Sequence, residues 1–111
     1  MKRKLPAKKL TVKARADLDV VGHYVYLLGR NADVADRFKQ SVKAAQQRIR
    51  KDARGCATMA LPGFEDLELR FCRPTGFNNY LVIFQVTDEG PIVLRVLHSS
   101  QDVSQALRGA S

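Results

Sequence analysis

Apolar and polar positions recur along this chain in two periods, and the change of period divides it into elements. From Tyr80 to Val86 the residues are mostly β-branched or aromatic, Asp88-Glu89-Gly90-Pro91 breaks the run, and Ile92 to Leu97 resumes it. This pattern predicts two strands joined by a tight turn. Gly90 is suited to positive φ there, and Pro91, which lacks an N–H, to a strand entry. Tyr80, Val82, Phe84 and Val86 fall on one face and Leu81 and Ile83 on the other, so the hairpin is expected in a sheet covered on both sides. Ahead of it Leu67, Leu69 and Phe71 alternate with Glu68, Arg70 and Cys72, which predicts a third strand; Arg73-Pro74-Thr75-Gly76 turns it into the hairpin. Lys9-Leu10-Thr11-Val12-Lys13 reads as a short strand at a sheet edge, flanked by lysines.

From Ala14 the period becomes helical. Leu18, Val21, Val25 and Leu28 recur at i, i+3, i+7 and i+10, with Val20, Tyr24 and Leu27 widening the stripe, which predicts an amphipathic helix ending near Gly29 with that stripe inward. His23, at the margin of the stripe, is expected on the helix surface, since no second metal donor sits at i+4. Asn31 is a fitting N-cap for a second helix, with Asp33 in its first turn. Val34, Phe38, Val42, Ala45 and Ile49 carry that helix through to Arg54, with Gly55 as its stop. Lys39, Lys43, Arg50 and Arg54 form a second, basic stripe within about 60° of one another on a helix of roughly 100° per residue. Cys56–Gly63 is expected to be irregular, and Val103 and Leu107 to lie in a short terminal helix or tail.

The resulting order, β-α-α-β-β-β(-α), is an α+β arrangement in which a helical hairpin covers a small antiparallel sheet. At 111 residues the chain is expected to be one domain, 1–111, with residues 1–7 a loose basic arm. No apolar run is long enough to span a bilayer, and no secretory h-region follows the basic start, so a cytoplasmic protein without a membrane partner is expected. Cys56 and Cys72 have no zinc-ligand spacing and are expected to be reduced thiols. The net charge of +8 is uneven: residues 1–15 carry +7, 16–36 carry −3, 37–54 carry +6 and 55–111 carry −2. Such a distribution suits an acidic partner meeting one side of the molecule.

The residues call for no metal, cofactor, Gly-rich phosphate loop or serine nucleophile. The chemistry-bearing set is Arg70, Arg73, Tyr80, Arg95 and His98, spread over three consecutive strands. Arginines can hold a scissile phosphate and stabilise its added charge, and His98 can carry a proton at neutral pH. Strand parity argues against a compact site, because Arg95 and His98, three apart, point to opposite faces of a regular strand. The alternative is structural: Arg95, costly in an apolar strand, pairs with an acid such as Asp102, and His98 hydrogen-bonds the chain where the strand ends.

Gly76-Phe77-Asn78-Asn79-Tyr80-Leu81-Val82-Ile83-Phe84, followed by Leu94-Arg95-Val96-Leu97-His98-Ser99-Ser100-Gln101-Asp102, resembles the end of ParE toxins in the RelE/ParE superfamily of plasmid-stabilisation and toxin–antitoxin proteins. Their pattern is roughly GF-x-x-YLIFYR, a short turn, then LRVLHGxRD. Gln85, Ser99 and Gln101 depart from it. The resemblance implies a RelE/ParE-like fold and growth arrest through inhibition of DNA gyrase by binding, with a cognate antitoxin whose C-terminal segment wraps the toxin. RelE-type members instead cut messenger RNA on the ribosome, and Gln101 in place of the family Arg keeps that alternative open. A small double-stranded RNA-binding module also combines three strands with two helices, but its α-β-β-β-α order and its basic last helix are not met here. The expected antitoxin surface combines apolar anchors among Leu67, Leu69, Val82, Phe84 and Val96 with carboxylates near Lys39, Lys43, Arg50 and Arg54.

Overall fold

The computed structural model describes residues 9–108; the expected basic arm, residues 1–7, lies outside them. The elements run β1 (Thr11–Val12), α1 (Ala14–Leu28), α2 (Ala32–Lys51), a 3-10 turn (Ala53–Gly55), β2 (Ala57–Thr58), β3 (Glu68–Cys72), β4 (Tyr80–Thr87), β5 (Gly90–His98) and α3 (Val103–Arg108). The five strands lie in the order β1-β5-β4-β3-β2. The last four in sequence are antiparallel neighbours, while β1 pairs with β5 in parallel, Thr11 against Ile92 and Val12 against Val93. The sheet is therefore mixed, because β1 returns to β5 only through the helical hairpin. The α+β layering is the one the RelE/ParE resemblance implies.

The two sheet faces bury separate apolar clusters. Tyr80, Val82, Phe84, Val93 and Val96 lie under Ala16, Phe38, Val42, Ala45 and Ile49 of the helices. Leu69, Leu81, Ile83 and Leu97 lie on the other face with Leu107 of α3, flanked by Met59, Leu61, Phe64 and Leu67 from the loop between β2 and β3. Val93 and Val96 share a face although three apart, because the β4–β5 register skips Leu94: Phe84 faces Val93 and Ile83 faces Arg95. This bulge re-aims everything after it. At the β4–β5 turn Gly90 takes φ 125°, a conformation side chains disfavour, and Thr87 Oγ1 donates to its carbonyl at 2.7 Å.

α2 begins as read: the Asn31 side chain accepts from the Asp33 and Val34 N–H groups at 2.9 and 3.2 Å. It ends at Lys51 with Asp52 as cap, so Arg54 belongs to the following 3-10 turn and not to the helix. α1 turns only one flank of its expected stripe inward. Leu18 (66%), Val21, Val25 (60%) and Leu28 are exposed, whereas Asp19, Val20, His23, Tyr24 and Leu27 are half-buried. No described helix is long and apolar enough to cross a membrane.

Candidate functional site

The five residues with catalytic chemistry do not converge. The register sets Tyr80 against His98 and Ile83 against Arg95 in regular pairing, the bulge lying before Arg95. Arg95 therefore shares the face of Ile83 and Leu97, and Tyr80 and His98 share the face under the helices. Arg70 stands opposite Phe84, four residues along β4 from Tyr80. Its Nε donates to Glu68 Oε2 at 3.0 Å and a terminal nitrogen donates to the Cys56 carbonyl at 2.7 Å. Arg73 stacks over the Phe71 ring and donates to the Asn78 carbonyl at 3.1 Å.

Arg95 is 7% exposed and its partner is Asp19 of α1, not Asp102. Its Nε and a terminal nitrogen donate to both Asp19 oxygens at 2.7 and 2.8 Å, and the other terminal nitrogen donates to the Ala106 carbonyl at 2.9 Å. Hydrogen bonding to Asp19 raises the Arg95 pKa further. The same Asp19 carboxylate accepts the Val96 N–H at 2.9 Å, and His23 Nε2 lies 2.9 Å from the Val96 carbonyl. β1 ends at Val12, opposite Val93, so among the described residues no strand lies on the outer edge of β5 at Val96. Asp19 and His23, one helical turn apart, take that strand's place. Asp102 instead caps α3, its Oδ1 accepting the Gln105 N–H at 3.1 Å.

His23 is thus half-buried against the sheet and not the surface residue expected. Its ring lies 5.0 Å from that of Tyr80, which lies 5.0 Å from that of His98 and 4.8 Å from that of Phe38. Burial pushes the Tyr80 hydroxyl pKa up. The Ser100 N–H donates to His98 Nδ1 at 3.1 Å, and Ser100 Oγ lies 2.8 Å from the same nitrogen. Gln101 closes the turn: its Oε1 accepts the His98 N–H at 2.8 Å and its own N–H donates to the His98 carbonyl at 2.9 Å. Ser99 N–H bonds the Asn79 carbonyl across the strand ends.

The surface residues divide in the same way. Phe84, Val82 and Val96 are wholly buried under the helices, and Leu69 is buried on the opposite face, so none of these four lines an open surface. Leu67 does: with Phe64, Leu94 and Leu107 it floors a groove of about 380 Å³, rimmed by Lys13, Arg15 and Gln85. The sequence reading missed this groove because its walls come from five separate segments. Lys39, Lys43, Arg50 and Arg54 are all exposed. Lys39 leans over the Tyr24 ring at 4.5 Å, while Arg54 is held by Glu68 at 2.9 and 2.8 Å. Hydrogen bonds from Arg54 and Arg70 hold the Glu68 carboxyl at about 2.

Among the described residues no group of three His, Cys, Asp or Glu is placed to hold a metal ion. No curated protein matches the chain. The model of one family, the ParE toxin of type II toxin–antitoxin systems, matches residues 9–103. That span takes in β1, both long helices, all of β2 to β5 and the start of α3, so this chain belongs to the ParE toxin family.

Proposed function

We propose that this ParE-family toxin arrests growth by binding DNA gyrase, without cutting RNA, and that it acts in the cytoplasm. The observation that carries this reading is the engagement of Arg95. A ribonuclease site on these strands would need an arginine free to meet the phosphate near the proton carrier. Here Arg95 is buried against Asp19 and stands on the sheet face opposite His98. A protein that inhibits by binding needs no such convergence.

Its cognate antitoxin covers the groove floored by Phe64, Leu67, Leu94 and Leu107. Apolar anchors suit the floor, and carboxylates suit Lys13 and Arg15 at the rim. Lys39, Lys43 and Arg50, exposed on α2, steer the acidic segment towards the molecule. Charge reversal at Lys39 and Lys43 together should slow association and flatten its salt dependence, leaving the fold intact; wild-type rate and salt slope would show that these lysines only meet solvent.

Expression in cells separates the two targets. Gyrase inhibition stops DNA synthesis and produces filaments while amino-acid incorporation continues. An immediate stop in incorporation, with messenger RNA cut on the ribosome, would overturn the reading in favour of the RelE-like ribonuclease.

A further inference from the structure

We infer that Cys56 and Cys72 form a cross-strand dithiol that closes to an intramolecular disulfide by exchange with a small anionic disulfide of the glutathione class. The inference does not depend on the toxin's target. Ala57 faces Phe71 and Thr58 faces Arg70 in the β2–β3 ladder, and Cys56 and Cys72 are the residues one step beyond its last pair. The Met59 N–H donates to the Leu69 carbonyl at 2.9 Å. Hydrogen-bonded and non-hydrogen-bonded pairs alternate along an antiparallel ladder, so continuing it by one step gives 56/72 the parity of a non-hydrogen-bonded pair. Such pairs hold their Cα atoms about 4.5 Å apart with side chains close, within the span of a disulfide. Cys56 continues the strand direction, with φ −85° and ψ 163°.

The thiols are also reachable. Both are free and half-buried, and both line one cleft of about 310 Å³ with Arg48, Asp52, Gly55, Ala57, Phe71 and Arg73. The two arginines at this cleft suit the carboxylates of a peptide disulfide. Burial, and then the neighbouring Cys72 thiol, push the Cys56 pKa up.

In the exchange, one protein thiolate attacks the small disulfide, forming a mixed disulfide and releasing one small thiolate. The second protein thiolate attacks the protein-bound sulfur and releases the other. Two electrons pass from the protein to the small disulfide, and the two thiol protons go to solvent. The new bond would fasten the end of the Cys56–Cys72 loop, whose Met59, Leu61, Phe64 and Leu67 cover the second sheet face.

The test treats the folded full chain with glutathione disulfide, alkylates remaining thiols and measures the intact mass. The expected product is a monomer lighter by two hydrogens, free of bound glutathione and restored by dithiothreitol. Cys56→Ser and Cys72→Ser should each retain one glutathione instead. A wild-type chain that retains glutathione, forms only intermolecular dimers or stays reduced would overturn the inference. A second arm needs no variant: phenylarsine oxide, which bridges paired thiols, should bind the reduced wild type one to one and resist excess monothiol. Release by monothiol would overturn the pairing.

Discussion

Both long helices carry apolar residues at helical spacing, but only α2 buries the whole of its stripe. In α2, Ala35, Phe38, Val42, Ala45 and Ile49 recur every three or four residues and all are buried. In α1, Leu18, Val21, Val25 and Leu28 recur in the same way and all are exposed, while Ala16, Val20 and Leu27 face inward beside Asp19 and His23. The cause is the neighbour. α2 covers side chains of β4 and β5 and needs to supply only hydrocarbon. α1 runs along the stretch of β5 beyond β1, where Val96 presents both an N–H and a C=O. Leaving each of those groups unpaired costs about 1–3 kcal/mol. A helix's period states that it has a face; the element beside it decides which face turns in.

The largest test of this contrast is Asp19→Ala. It leaves the Arg95 charge buried without its carboxylate and the Val96 N–H without an acceptor, and should cost about 3–5 kcal/mol in urea unfolding. Adding Arg95→Met should recover a substantial part, because the orphaned charge is then gone; a double variant no better than Asp19→Ala would show that the pair is not what matters. On α2, Phe38→Ala removes a wholly buried ring and should cost about 3–5 kcal/mol.

A smaller effect is expected from Glu68, whose folded pKa of about 2 lies below its unfolded value of about 4.3. A depressed carboxyl adds stability that is present above the unfolded value and lost as pH falls through the folded one. Between about pH 4.3 and 2 the wild type should therefore lose stability that Glu68→Gln lacks throughout. Parallel acid-unfolding curves for the two would remove the Arg54–Glu68–Arg70 arrangement from the account. The smallest effect belongs to the outer face of α1: Val25→Ser should change stability by no more than about 0.5 kcal/mol. A loss approaching that of Phe38→Ala would mean that α1 is turned the other way.

The sheet was legible because alternation is local. Tyr80 to Val86 and Leu67 to Phe71 assign their own faces, and the structure keeps those assignments. What was not legible depends on distant segments. Arg95 was expected beside Asp102, seven residues on, but pairs with Asp19, 76 residues earlier in sequence. β2 is two residues long and too short to alternate. The groove joins Lys13 and Arg15 to residues from the 64–67 loop, β5 and α3. One signal was available: Asp19 and His23 stand one turn apart between apolar neighbours, and a polar pair at that spacing marks a face with polar work to do.

The same contrast bears on function, since the arginine that a strand-borne ribonuclease would use is committed to α1. The most direct measurement adds purified toxin to two reactions side by side, gyrase supercoiling of relaxed plasmid and cleavage of messenger RNA on stalled ribosomes. Supercoiling should fall as toxin is added and recover with antitoxin, while the message stays intact. Unchanged supercoiling at excess toxin, with the message cut, would contradict the account.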